Sequence, residues 1–182
     1  MVQIKFGTDG WRALIAHDYT TDNVARVAMG TALWLKKHYD APKVVIGHDC
    51  RFGGPMFTEV TAKVLAEQGV QVVIGEGITT TPMVSMGTNR LDAHMGVVIT
   101  ASHNPPTYNG YKLKSAEGGP SDPADVTAVE ELIPDAATIP AAPLQTYIDK
   151  GAVSYTDLQQ MYVDEVKAKF DLAAIKNAGI GV

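Results

Sequence analysis

The sequence has one cysteine, Cys50, in 182 residues. An internal disulfide is impossible, and zinc clusters built from several thiolates are excluded. Cys50 is expected as a small, partly buried side chain. Runs of like charge are also missing. Lys and Arg total 15 against 20 Asp and Glu, for a net charge of −5, and the cations are scattered. That argues against nucleic acid or an anionic membrane as partner, although a small anion needs only a local cluster of donors. No apolar run approaches the ~18 residues of a membrane span. Met1-Val2-Gln3-Ile4-Lys5 lacks the apolar stretch of a signal peptide, so the expectation is a cytoplasmic chain. There is no Gly-x-Ser-x-Gly elbow and no Gly-x-x-x-x-Gly-Lys-Ser/Thr loop. The hydrolase serine and the nucleotide-phosphate loop therefore drop out.

What is present is a core. Hydrophobic residues make up 46% and charged ones 19%, enough for a packed domain and the beginning of a second. Helical and strand patterns alternate. Thr21 or Asp22 is expected to cap a helix with Val24, Val27, Ala28, Thr31 and Leu35 on one face. Lys36, Lys37 and His38 fill its last turn, where cations suit the helix dipole. Residues 43–47 read as a buried strand and 48–54 as a polar loop. Pro55 opens a second helix with Phe57, Val60, Val64 and Leu65 inward, and Gly69 closes it. A strand follows over 70–74, a short helix over 83–90, a strand over 96–99 and a short strand over 111–114. Gly118-Gly119-Pro120 turns the chain. Asp122 caps a helix that starts near Pro123 and carries Val126, Val129 and Ile133. Strands separated by helices give α/β with a largely parallel sheet. Residues 134–143 are rich in Ala and Pro and read as a linker or surface excursion. Residues 156–170 form an amphipathic helix with Leu158, Met161, Tyr162 and Val166 inward, and 178–182 resemble the start of another strand. The expected division is 1–134, a linker or excursion over 135–155, and 156–182 as a connecting helix with the start of a further domain.

The strand at 96–99 runs straight into Thr100-Ala101-Ser102-His103-Asn104-Pro105-Pro106. Ligands of α/β sheets bind beyond such carboxyl ends. The two prolines stiffen the loop, so the Ser102 hydroxyl is presented at a fixed angle. Asn109-Gly110 is expected to turn the chain back and bring Lys112 beside Ser102.

That string, continued by Tyr108-Asn109-Gly110-Tyr111-Lys112, resembles the active-site segment of the α-D-phosphohexomutases. Phe6-Gly7-Thr8-Asp9-Gly10-Trp11-Arg12 looks like that family's opening motif, and Gly47-His48-Asp49-Cys50-Arg51 matches its Gly-x-Asp-x-Arg loop. Thr81-Pro82 falls where the family has a Thr-Pro pair. The resemblance implies a three-layer α/β/α domain with a mixed, mostly parallel sheet, the first of four domains around one cleft. It implies interconversion of hexose 1-phosphate and hexose 6-phosphate, glucose or mannose. The route is a phosphoserine at Ser102 and a bisphosphate intermediate, with glucose 1,6-bisphosphate or a similar activator. Mg2+ would bind an oxygen of that phosphoserine, its aspartate ligands lying outside this chain.

By the same resemblance Lys112 transfers a proton or stabilises the moving phosphoryl group, and His103 orients phosphoserine or substrate. Arg12 lies near the phosphate, for which a guanidinium is suited by its parallel donors. Asp49 and Arg51 hold the loops through an ion pair, and Asn104 fixes the serine loop by bonding to backbone groups. Trp11 and Trp34 are expected as core or interface residues rather than sugar platforms. The implied partners are a small phosphosugar and the remaining domains of a longer chain, whose absence would leave this piece inactive and open to self-association. Three other readings stand beside this one: a non-catalytic phosphosugar-binding module, a degenerate structural domain that retains the motif, and a phosphoglucosamine mutase. Tyr108 and Tyr111 around Asn109-Gly110 favour the glucose and mannose subgroup over the last.

Overall fold

The structure, a computed structural model, describes residues 2–7 and 10–179. Thr8 and Asp9 of the opening motif, and residues 180–182 of the expected last strand, lie outside the described residues.

Three strands of near-continuous Val and Ile make the centre: β2 (Lys43–His48), β3 (Gln71–Gly75) and β4 (Met95–Ile99). Such runs belong to strands covered on both faces. Val44, Ile46, Val72, Ile74, Val97 and Ile99 pack into one core, and Val45, Val73 and Val98 into another on the opposite side. The first core is roofed by α1 (Thr21–His38) and α2 (Gly54–Glu67), with α4 (Pro123–Glu131) against α1 and α5 (Leu144–Asp149) against α2. The second is roofed by α3 (Thr81–Arg90) and α6 (Leu158–Lys169), where Leu158 and Val84 are fully buried. Val24, Val27, Ala28, Thr31 and Leu35 are all solvent-inaccessible on α1. On α6, Leu158 is buried while Met161, Tyr162 and Val166 are half-buried. Trp11 and Trp34 are both buried.

With β1 (Trp11–Leu14), β5 (Tyr108–Ser115) and β6 (Val153–Thr156), the sheet has six strands in the order β1-β5-β4-β2-β3-β6. β4, β2, β3 and β6 run parallel, and β5 is antiparallel to both β4 and β1. The result is the expected three-layer α/β/α arrangement around a mixed, mostly parallel sheet.

Local readings differ in three places. The helix cap of α1 is Thr20, whose side chain accepts from Asn23 N–H, rather than Thr21 or Asp22. Three polar residues in succession offer three possible caps, and the helical backbone begins after the first. Asn109-Gly110 does not turn the chain. It lies inside β5, opposite Ala13 and Arg12 of β1, and the reversal comes earlier, where Tyr108 N–H bonds Pro105 C=O at 3.0 Å. The segment beyond Pro143 is not a linker. It forms α5 and then β6, which pairs with β3 from Val72↔Val153 to Gly75↔Thr156. Only Val153 of that edge strand is buried, so its four residues carry almost no apolar signal.

Gly47, next to the last residue of β2, leaves no room for a side chain. A Cβ there would sit 2.2 Å from Thr79 Oγ1 and 2.5 Å from Val84 Cγ2. Gly47→Ala is therefore expected to lower stability by about 1–3 kcal/mol, the range for overpacking a core. The urea midpoint of the variant checks this.

Candidate active site

β2 and β4 are parallel neighbours, but the chain leaves β2 through α2 on one face and enters β4 through α3 on the other. A sheet with that reversal opens a crevice at the carboxyl ends of the two strands. The loop 49–53 after β2 and the loop 100–107 after β4 meet there, and Asp49 N–H donates to Ile99 C=O at 3.2 Å.

Ser102 is exposed at the tip of the second loop with φ +54°. This left-handed conformation costs a non-glycine residue roughly 1–2 kcal/mol. Its neighbours hold it there. Ser102 N–H donates to Thr100 Oγ1 at 3.1 Å, and the Thr100 hydroxyl donates to Asp49 Oδ2 at 2.5 Å. Asp49 Oδ1 accepts the Arg51 N–H at 2.9 Å. The Arg51 guanidinium reaches across to four carbonyls. Nη2 donates to Ser102 O at 2.9 Å and Asn104 O at 2.6 Å, and Nη1 to Pro105 O at 2.9 Å and Tyr108 O at 3.0 Å. Its Nε lies 3.4 Å from Asp49 Oδ2. One planar fork thus fastens the whole serine loop to the loop after β2.

The Ser102 hydroxyl is 3.4 Å from His103 Nδ1. Arg12 Nη1 donates to Asn104 Oδ1 at 2.9 Å. The side-chain carbonyl of Asn104 thus accepts from a guanidinium, where backbone partners were expected. Arg12 pairs with Gly110, which lies two residues from Lys112 on β5, so both cations leave the sheet on one face. Gly110 makes this crossing possible. A Cβ there would meet Thr100 O at 2.5 Å, Trp11 O at 2.8 Å and Arg12 Cγ at 3.0 Å. Lys112 itself is buried, opposite Val98 of β4.

Beneath the site Tyr19 donates to Gly110 O at 2.7 Å, stacked on Trp11 and edge-on to Phe57. Burial, with smaller contributions from Tyr111 and Asp49, pushes the Tyr19 phenol well above its ordinary value. It stays a donor and props β5 from below.

Asp49, Arg51, Ser102, Asn104 and Pro106 line a groove of about 390 Å3, with Phe52 on its rim at 76% exposure. Cys50 also lines this groove and is exposed, which corrects the expectation of partial burial. It sits on a polar loop past the strand end, where no core is available. Thr81 and Pro82 begin α3 and line a separate groove of about 690 Å3 between α3 and α6. Among the described residues no group of three or more His, Cys, Asp or Glu side chains can hold a metal ion, and none of their helices is long and apolar enough to cross a membrane. Thr100 is the residue that sequence reasoning leaves without a role. Its only signal is its place between a buried strand and the serine.

The model of the phosphoglucomutase/phosphomannomutase α/β/α domain I matches residues 3–139. The chain is 32% identical to a phosphoglucomutase of Staphylococcus saprophyticus over 91% of its own length and 31% of the relative's. It is 39% identical to a phosphoglucosamine mutase of Deinococcus radiodurans over 86% of its own length and 35% of the relative's. A crystal structure from Thermus thermophilus, described as a phosphomannomutase, superposes with a TM-score of 0.85 at 36% identity, over 95% of this chain and 37% of that one. The chain thus spans about a third of the length of the curated relatives it matches.

Proposed function

The chain belongs to the phosphoglucomutase/phosphomannomutase family through its α/β/α domain I, and from that premise we propose that it is the phosphoserine domain of a phosphohexomutase. The observation that carries the proposal is Ser102, held exposed in a left-handed turn at a sheet switch point where it lines an open groove. In the proposed reaction a hydroxyl oxygen of the hexose phosphate attacks the phosphorus carried on Ser102. The new O–P bond forms as the Ser102 Oγ–P bond breaks, and the sugar becomes a bisphosphate. The bisphosphate turns over, and Ser102 Oγ takes back the other phosphoryl group. Transfer of this kind rests on in-line positioning and charge neutralisation.

Lys112 is proposed to serve the moving phosphoryl group by charge or by taking the hydroxyl proton, and His103 to orient phosphoserine and substrate. Arg12 acts beside the phosphate through the hydrogen bond that seats it on Asn104. Mg2+ is the proposed ion, with glucose 1,6-bisphosphate as activator. An oxygen-bound cation of this class needs about six ligands. The described residues do not fit it alone, offering only a phosphate on Ser102.

Glucose and mannose phosphates are the proposed substrates. The 39% identity to a phosphoglucosamine mutase supports glucosamine phosphate as a second reading, and turnover of the three sugar phosphates by the complete protein separates them. The serine-loop domain is proposed to span 1–134 together with the α5–β6 excursion that returns to its sheet. Residues 156–182 are proposed to lead towards further domains, with α6 packing on α3 along the way, and without those domains no turnover is expected. A cytoplasmic setting accords with this substrate class. Self-association through exposed Phe170, Leu172 and Ile175 is read from the mass in solution.

The test is intact mass. The complete protein incubated with glucose 1,6-bisphosphate is expected to gain one covalent phosphate. Binding without any gain in mass would favour a non-catalytic phosphosugar module instead.

A further inference from the structure

A serine at φ +54° stays there only if its surroundings over-determine it. Arg51 grips the carbonyls of the loop. The N–H of Ser102 is held by a different atom, Thr100 Oγ1. The two bonds of that oxygen fix the direction of its single proton. The Ser102 N–H can only donate, so Oγ1 accepts on that side. On the other side the carboxylate oxygen of Asp49 accepts, so the hydroxyl proton points to Oδ2. A donor bound to a carboxylate is polarised, and its oxygen becomes the better acceptor. Both ends of the relay are anchored. Thr100 is 5% exposed and its own N–H is bound to Gly110 O, while Asp49 is bound to the Arg51 N–H.

We infer that Thr100 is a positioning residue: its hydroxyl relays between Asp49 and the Ser102 N–H, sets the left-handed turn at Ser102, and so aims Oγ into the groove. The inference deepens the phosphoserine reading and rests on it. Thr100→Val keeps the shape and removes the relay, whereas Thr100→Ser keeps the hydroxyl. In the complete protein two quantities are measured: amide hydrogen exchange at Ser102, and the initial rate of phosphate uptake from glucose 1,6-bisphosphate.

For T100V, exchange is expected to rise about 10-fold, the effect of losing one hydrogen bond. The uptake rate is expected to fall about 10- to 100-fold, the effect of a small misplacement, with less than about a 3-fold change in the half-saturating bisphosphate concentration. T100S is expected within about 3-fold of the parent in both readouts. Should T100V not fold, T100A is put through the same measurements with the same expected outcomes. Parent-like exchange and uptake in T100V would overturn the inference, as would T100S damaged as severely as T100V. If the parent itself takes up no phosphate, the phosphoserine reading fails, and the exchange comparison still decides whether the relay holds the turn.

Discussion

Ser102→Ala in the complete protein is expected to abolish covalent phosphate uptake, while Ser102→Gly abolishes it equally and leaves the more stable fold of the two. The chemical half of this is simple, because neither variant has an oxygen to carry the phosphorus. The energetic half comes from φ +54°. Alanine keeps the left-handed penalty of roughly 1–2 kcal/mol. Glycine loses it but gives the unfolded chain more freedom, at a cost of about 0.5–1 kcal/mol. The difference leaves S102G above S102A by up to about 1.5 kcal/mol in a urea titration. Phosphate remaining on S102A would place the acceptor elsewhere. S102G less stable than S102A would mean that the turn at 102 is not left-handed in solution.

The core elements were legible because each carries its period plainly. Val44, Val45 and Ile46 read as a strand buried on both sides, and Val24, Val27, Ala28, Thr31 and Leu35 as one helical face. Asn109-Gly110 misleads because the same dipeptide serves a different need. Gly110 is required where two backbones, at Thr100 and Trp11, come within contact of where a side chain would be. Asn109 is buried, with its side chain bound to Phe52 C=O and to Gly110 N–H. A pairwise signal read along the chain cannot report a crossing between strands distant in sequence. The α5–β6 segment fails for another reason. Its Ala- and Pro-rich approach hides a short edge strand whose pairing is supplied by β3, not by its own sequence. Within the site, the contact between Asp49 and Arg51 is readable from their spacing on one loop. That Arg51 also collects four carbonyls from more than fifty positions away is not, because backbone acceptors have no identity in a sequence.

Those four carbonyls make Arg51→Lys the most informative charge-conserving change. A lysine keeps the positive charge near Asp49 but replaces a planar fork with a point donor on a flexible stem. It cannot reach Ser102 O, Asn104 O, Pro105 O and Tyr108 O at once. Bonds from a charged donor contribute about 1.5–3 kcal/mol each when buried. Here two of the four are exposed, and freed carbonyls can turn to water. The global loss is accordingly expected at only about 1–3 kcal/mol. The local loss is larger in consequence, since the loop carbonyls lose their common anchor and the loop is left tethered by the Thr100 hydroxyl, by the Arg12 bond to Asn104 Oδ1 and by Ile15 N–H to Thr107 C=O. Phosphate uptake by R51K is expected to fall about 100-fold or more, and protease cleavage within 102–107 to quicken. R51A should be worse in both. If Arg51 acted chiefly as a cation that draws phosphate into the groove, R51K would retain most of the parent's rate and its loop would stay resistant. That result would reject the fork, and with it the idea that the aim of Ser102 depends on how its carbonyls are gathered.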